Sequence, residues 1–205
     1  MSLNNNRLRW GSISQLFHWA IAITIIATAA LGLYMVDVPL SQFRLKIQLY
    51  DLHKAIGIIL ILVVVARLAW RWINPTPALP DNLKGYERVL AKGTHWLFYG
   101  LMFAMPISGY IMHSTSTVRR TPVELFGGIT VPNILPANEN LSEIAEGVHE
   151  ALFWVLAVLL VLHVAAALKH HFILKDGVLL RMLPFTQSAQ RRREQALGAH
   201  YSEGR

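Results

Sequence analysis

Three histidines, His149, His163 and His170, lie in or at the end of one apolar stretch, VHEALFWVLAVLLVLHVAAALKHH, from Val148 to His171. Imidazole can ligate a metal, hydrogen-bond in either sense or pass a proton. Ionisable groups in a membrane-length segment are costly to bury, which marks them as functional candidates. On a helix, His163 stands roughly 21 Å beyond His149 and within about 40° of the same face. The two rings then point the same way, one near each edge of a hydrocarbon layer roughly 30 Å thick. That is the spacing for two stacked cofactors. His170 is one further two-turn step along this face, roughly 10 Å on.

The elements that would position these rings are apolar helices. Of the 205 residues, 54% are hydrophobic and 15% charged, too apolar for a soluble domain of this size and natural for a polytopic membrane protein. There is no cysteine. Disulfides, thiolate-held clusters and covalent haem attachment are therefore excluded, and any haem must be held by side-chain ligands alone. The reading is an all-α, four-transmembrane-helix bundle with spans at about 14–36, 52–73, 94–113 and 147–171. The first run is of spanning length and lacks a small-residue cleavage site, so it reads as a span and not a cleavable signal. Asn74-Pro75-Thr76-Pro77 stops the second span. Pro106 and Gly109 interrupt the third, which neighbouring helices tolerate. The longest connection, 114–146, ends in an acidic piece, Glu139 to Glu146, that reads as a short surface helix.

The formal charge of +7 is unevenly shared. With both termini in the cytoplasm, 14 Lys and Arg fall inside and 5 outside: Arg44, Lys46, Lys54, Arg119 and Arg120. Positive-inside bias thus explains the charge and sets the orientation. Residues 186–205, with Arg191-Arg192-Arg193, read as a disordered basic cytoplasmic tail, solvated or at the lipid surface, with no nucleic-acid role. Residues 1–185 form the bundle.

A weak internal repeat underlies the spans. His18-Trp19 precedes Gly32-Leu33-Tyr34-Met35 as His95-Trp96 precedes Gly109-Tyr110-Ile111-Met112. His53 corresponds to His149, and Arg67 to His163, which suggests a duplicated helical hairpin.

Alternating span direction sorts the histidines by depth. His18, His95 and His163 fall near the cytoplasmic edge, His53 and His149 near the periplasmic one. A low-spin b haem needs two axial imidazoles from facing helices. The outer layer offers His53 with His149 unless His113 intrudes; in the inner layer His163 pairs with either His18 or His95. A single helix histidine is more often a hydrogen-bonded core residue, but four or five in two layers on different spans reverse that preference. Zinc fits poorly, with two or three histidines per layer and no carboxylate set. A proton relay would need acids in the spans, where only Glu150 stands, at an edge. A haem-free transporter would make the histidines incidental.

Phe17-His18-Trp19, His53 with Gly57, Arg67 with Pro75-Thr76-Pro77, Pro106 with Gly109, His149-Glu150, and the run from His163 to His171 ending in Leu180-Arg181-Met182-Leu183-Pro184 together resemble the bacterial cytochrome b561 family, over roughly residues 7–185. These are di-haem membrane cytochromes and include superoxide oxidase. The resemblance implies two haem b, His18 with His163 on the inner haem iron, His53 with His149 on the outer, and no iron for His95. It implies a bacterial inner-membrane electron carrier or oxidoreductase that exchanges electrons with ubiquinone. The sharper version is a superoxide:ubiquinone oxidoreductase, and the alternative is a quinol-oxidising subunit that relays electrons to a periplasmic redox protein docked on 114–146. His170 then hydrogen-bonds a quinone or a haem propionate, or is only an interface residue. Arg67 and Arg71 are propionate partners or snorkelling end residues; for Arg67 the propionate is favoured. Lys54, Arg119 and Arg120 are the outer cations that would draw superoxide, an anion. Trp10, Trp70, Trp72 and Trp96 read as an interfacial belt in contact with membrane lipid.

Overall fold

The computed structural model describes residues 2–6, 9–78, 84–118 and 120–184. Arg7, Arg119 and the 186–205 tail lie outside the described residues. The protein is mostly helical: α1 Ser12–Asp37, α2 Phe43–Ile73, α3 Gly85–Thr115 and α4 Glu139–Lys169, with a two-strand hairpin of β1 Val123–Glu124 and β2 Thr130–Val131 before α4. Each expected span lies within one of these longer helices, the fourth together with the π turn His170–Leu174 that ends α4. At 31 residues, α2, α3 and α4 are each roughly 46 Å long, so their polar first turns continue beyond a hydrocarbon layer. The acidic piece 139–146 is the start of α4, not a separate surface helix. Asn138 caps it by accepting the Leu141 amide at 3.0 Å, and the helix runs on unbroken through Gly147.

Local chemistry sets the other helix ends. Val38 is extended before Pro39, which opens a 3-10 turn into α2, and Lys46 Nζ donates to the Val36 and Val38 carbonyls at 3.0 and 2.9 Å. These bonds satisfy acceptors left over at the C-terminus of α1. Asn74 is extended before Pro75 and ends α2. Glu87 accepts the Lys84 amide at 3.0 Å at the start of α3. Pro106 sits inside α3 without ending it, facing Gly57 of α2. The hairpin turns through Gly127 and Gly128 at φ 83° and 79°, where a Cβ would be strained.

Packing runs α1 on α2, α2 on α3 and α3 on α4, while α1 and α4 have no extended backbone contact. Ile21, Leu60, Val64, Tyr99 and Met102 form a small buried core between the first three helices. Large apolar side chains otherwise face outward, as with Ile23 at 63% exposure and Val161 at 67%. In water such a surface would drive aggregation, whereas lipid covers it. α1, Leu40–Ile73 and Glu139–Leu174 are long and apolar enough to cross a membrane. α3 falls short on composition, since Tyr99, Gly100, Pro106, Ser108 and Tyr110 dilute its apolar run.

Both described termini come to one end of the bundle. Gln15 Nε2 donates to the Arg181 carbonyl at 3.0 Å, Trp19 Nε1 to Met182 at 2.8 Å, and Arg181 Nη1 to Ala78 at 3.1 Å. The opposite end carries the hairpin and the connection around it.

Candidate cofactor site

The five span histidines gather at two levels. At the hairpin end, His53 of α2 and His149 of α4 have ring centroids 6.3 Å apart. At the termini end, His163 of α4 lies 6.2 Å from His18 of α1 and also 6.2 Å from His95 of α3. Two imidazoles sharing one first-row metal ion, each at a bond length of about 2 Å, place their centroids about 6 Å apart. All three pairs fit a bis-imidazole iron by this measure. No clustered set of three or more His, Cys, Asp or Glu suited to another metal is found among the described residues.

Hydrogen bonds orient the rings. Ser108 Oγ donates to the Met105 carbonyl at 2.8 Å, so the His149 Nδ1–H can donate to both Ser108 Oγ and that carbonyl, each at 3.0 Å. Nε2 is then unprotonated, the tautomer a metal ligand needs. His95 Nδ1 donates to the Ala91 carbonyl one turn back at 2.6 Å, with the same result. His53 turns Nδ1 toward the Thr28 backbone without closing a hydrogen bond of good geometry. His18 differs: Arg67 Nη2 donates to its Nδ1 at 3.3 Å. A guanidinium has no acceptor, so a neutral His18 in this contact carries its proton on Nε2. Were His18 to serve as a ligand through that nitrogen, its proton would sit on Nδ1 and Arg67 would have to turn away.

Glycines make room at the hairpin-end level. A Cβ on Gly32 would stand 3.1 Å from the His53 ring, and one on Gly109 would stand 3.1 Å from the His149 ring. The two positions matched by the sequence repeat thus face equivalent histidines. At the other level, Arg67 lies 5.8 Å over the Tyr99 ring, and Arg71 lies 5.6 Å over Trp96 and 5.7 Å over Tyr99. These cation–π contacts hold both guanidinium groups against α3 beside the three-histidine cluster. Trp70 Nε1 donates to Ser14 Oγ at 3.0 Å, a tie from α2 to α1.

The remaining sequence-derived positions lie apart from the ring pairs. His113 Nε2 donates to the Thr121 carbonyl at 2.8 Å, within the connection, so it does not join His53 and His149. Lys54 is paired with Asp51 at 2.8 Å. Arg120 donates to the Ser114 and Leu135 carbonyls at 3.1 and 2.6 Å, fastening the connection to the end of α3. His170, at the foot of α4, donates Nδ1–H to Asp176. Ser108 and Asp176 were not legible as partners: Ser108 breaks the repeat, since Leu31 stands in its place in α1, and the Asp176 contact depends on a turn outside helical periodicity.

A family model for prokaryotic cytochrome b561 matches residues 9–185. The chain is 39% identical over 183 residues to cytochrome b561 homolog 2 of Escherichia coli K12, covering 89% of this chain and 95% of that protein. It is 29% identical over 168 residues to a probable superoxide oxidase, CybB, of Yersinia pestis, covering 82% and 91%. Cytochrome b561 homolog 1 of Escherichia coli K12 matches at 25% identity over 134 residues, 65% and 74% of the two chains. With nearly the whole helical unit matched and paired imidazoles on facing apolar helices, the chain belongs to the prokaryotic cytochrome b561 family of membrane electron-transfer proteins, which bind haem b.

Proposed function

We propose that residues 1–185 form a four-span, di-haem inner-membrane oxidoreductase that takes electrons from superoxide at the periplasmic face and delivers them to ubiquinone near the cytoplasmic face. The observation that carries this reading is the presence of imidazole pairs at both ends of the bundle, 6.3 Å apart at one and 6.2 Å at the other. Both termini are assigned to the cytoplasm with the 186–205 tail, which makes the hairpin end periplasmic; the Lys and Arg bias supports this. The α3 helix would be the remaining span, its polar positions turned to the interior.

His53 and His149 would hold the outer haem. His18 and His163 would hold the inner one, across the seam where α1 and α4 leave room between their backbones. When bound, the two haems supply one-electron redox chemistry. The chain would fix the His149 tautomer through Ser108 and Met105 and keep the path between the levels dry with the Ile21, Leu60, Val64 and Met102 core. Arg67, freed from His18, and Arg71 would neutralise inner propionates. His170 would hydrogen-bond the quinone. The similarity to a probable superoxide oxidase over most of both chains supports the choice of donor.

A second ligand assignment, His95 with His163, is favoured by the ready tautomer that the Ala91 carbonyl imposes on His95. A second direction of flow, quinol oxidation with transfer to a periplasmic protein, is favoured by the ordered connection with Phe126 and Ile129 exposed at the hairpin. The test is a reduced-minus-oxidised spectrum with pyridine haemochrome quantification, followed by rapid mixing with superoxide in the presence of ubiquinone. Two b haems and quinol formation are expected. Haem and quinone that both stay oxidised would sink the superoxide reading.

A further inference from the structure

The foot of α4 is built unusually. Its last turn widens into the π turn His170–Leu174, and the chain leaves through Lys175 in the left-handed region at φ 52°. A non-glycine residue there costs of order 1 kcal/mol, and a π turn in a helix is rare and often marks a functional site. Together they bring the chain back on itself. The Asp176 carboxylate accepts the His170 Nδ1–H through Oδ2, while its Oδ1 accepts the Val178 amide at 3.1 Å. The Asp176 amide closes the turn on the His170 carbonyl at 3.4 Å. The Asp176 side chain is 6% exposed and that of His170 20%. The following loop is fastened to α1 and to Ala78 through Arg181 and Met182, so the carboxylate is held from both sides.

We propose that Asp176 is the positioning residue of a carboxylate–imidazole dyad that protonates the quinone oxygen. This rests on the reading of His170 as the quinone contact and adds its partner. With Nδ1–H committed to Asp176, proton exchange is confined to His170 Nε2. Oxidation of two superoxide ions to two dioxygen molecules supplies two electrons. The quinone takes these and two protons to become the quinol. Each proton leaves His170 Nε2, breaking an N–H bond and forming an O–H bond on a quinone oxygen, and water at the termini end returns the next proton to that nitrogen. The carboxylate holds the ring's orientation and keeps the proton on Nδ1 between the two events.

The test uses haem-loaded protein, prereduced and mixed either with a short-chain ubiquinone or with ferricyanide, which takes electrons without protons. Asp176→Asn is expected to slow quinone-driven reoxidation about 10- to 100-fold at saturating quinone, with the half-saturating concentration and the ferricyanide rate unchanged. Asp176→Glu restores most of the rate. Asp176→Ser, which keeps a hydroxyl for the Val178 amide, stays slow. Nitrogen-15 spectra of the imidazoles, assigned with His170→Gln, should show His170 protonated on Nδ1 in the wild type and a tautomer mixture in Asp176→Asn. Asn and Ser variants as fast as the wild type beside a slow His170→Gln would overturn the dyad alone. A His170→Gln that is equally fast would overturn the quinone contact beneath it. Slowing shared by ferricyanide would show damage to the fold and also overturn the dyad.

Discussion

The two histidine levels carry matched spacings in the two halves of the chain and fill them unequally. At the hairpin end each half contributes one histidine and one glycine: His53 faces Gly32, His149 faces Gly109, and a Cβ at either glycine would sit 3.1 Å from a ring. At the termini end one half supplies Arg67 where the other supplies His163, leaving His18 and His95 equidistant from a single partner. A symmetric level offers one ligand pair, whereas the asymmetric level offers two. The arginine is the residue that sets the two halves apart at this level. It contacts His18 now and would turn to a propionate when an iron takes that ring.

The largest effect that could break this comparison is at the symmetric level. His149→Ala should reduce the haem content from two to one and leave the spectrum of the inner haem in place, as read by pyridine haemochrome and the difference spectrum. Retention of both haems would show that His53 finds another partner. At the asymmetric level, His18→Ala should likewise leave one haem, whereas His95→Ala should retain two. The reverse pattern would transfer the inner ligand to α3 and make the His95 hydrogen bond to Ala91 its second-sphere support.

Smaller changes sharpen the contrast. Gly109→Ala places a methyl against the His149 ring, a clash that a neighbour must relieve at about 1–3 kcal/mol. The outer haem should bind more weakly and shift its band while the inner one is unaffected, as titration of apoprotein with haem would show. Ser108→Ala removes one of two acceptors from His149 Nδ1–H. Because the Met105 carbonyl remains, the loss in outer-haem affinity should fall at or below the low end of the 10- to 100-fold range of about 1–2 orders of magnitude expected for outer-shell partners.

What the sequence made legible was set by physical cost. Histidines in apolar segments are expensive, so His18, His53, His95, His149 and His163 stood out and their depth order could be read; the structure groups them at two levels accordingly. Helix ends were less legible. Residues 43–51 and 85–93 are polar enough for water yet keep helical geometry, so hydropathy marks the apolar part of each helix and not where the helix starts. The links between side chains were least legible. Ser108, Asp176 and the Arg67 to His18 contact depend on which faces meet, and neither composition nor period contains that information.

The smallest effect is expected at the cations assigned to steering. A superoxide ion approaching the hairpin end would meet Lys54 already paired with Asp51, and Arg120 with its charge intact but its side chain tied to two backbone carbonyls. Removing one unit charge about 10 Å from the approach path changes the energy by about 0.4 kcal/mol in water before salt screening. Lys54→Gln should therefore slow the second-order rate with superoxide about two-fold at low ionic strength. Asp51→Asn should raise it by a similar factor, the double variant should return near the wild-type rate, and all three should converge as salt is added. A loss in Lys54→Gln of more than about ten-fold that salt does not erase exceeds what a distant charge can supply. Lys54 would then be in contact with superoxide beside His53, one residue away in α2. The hairpin-end level would no longer be symmetric, since its reacting edge would lie on the first half of the repeat alone.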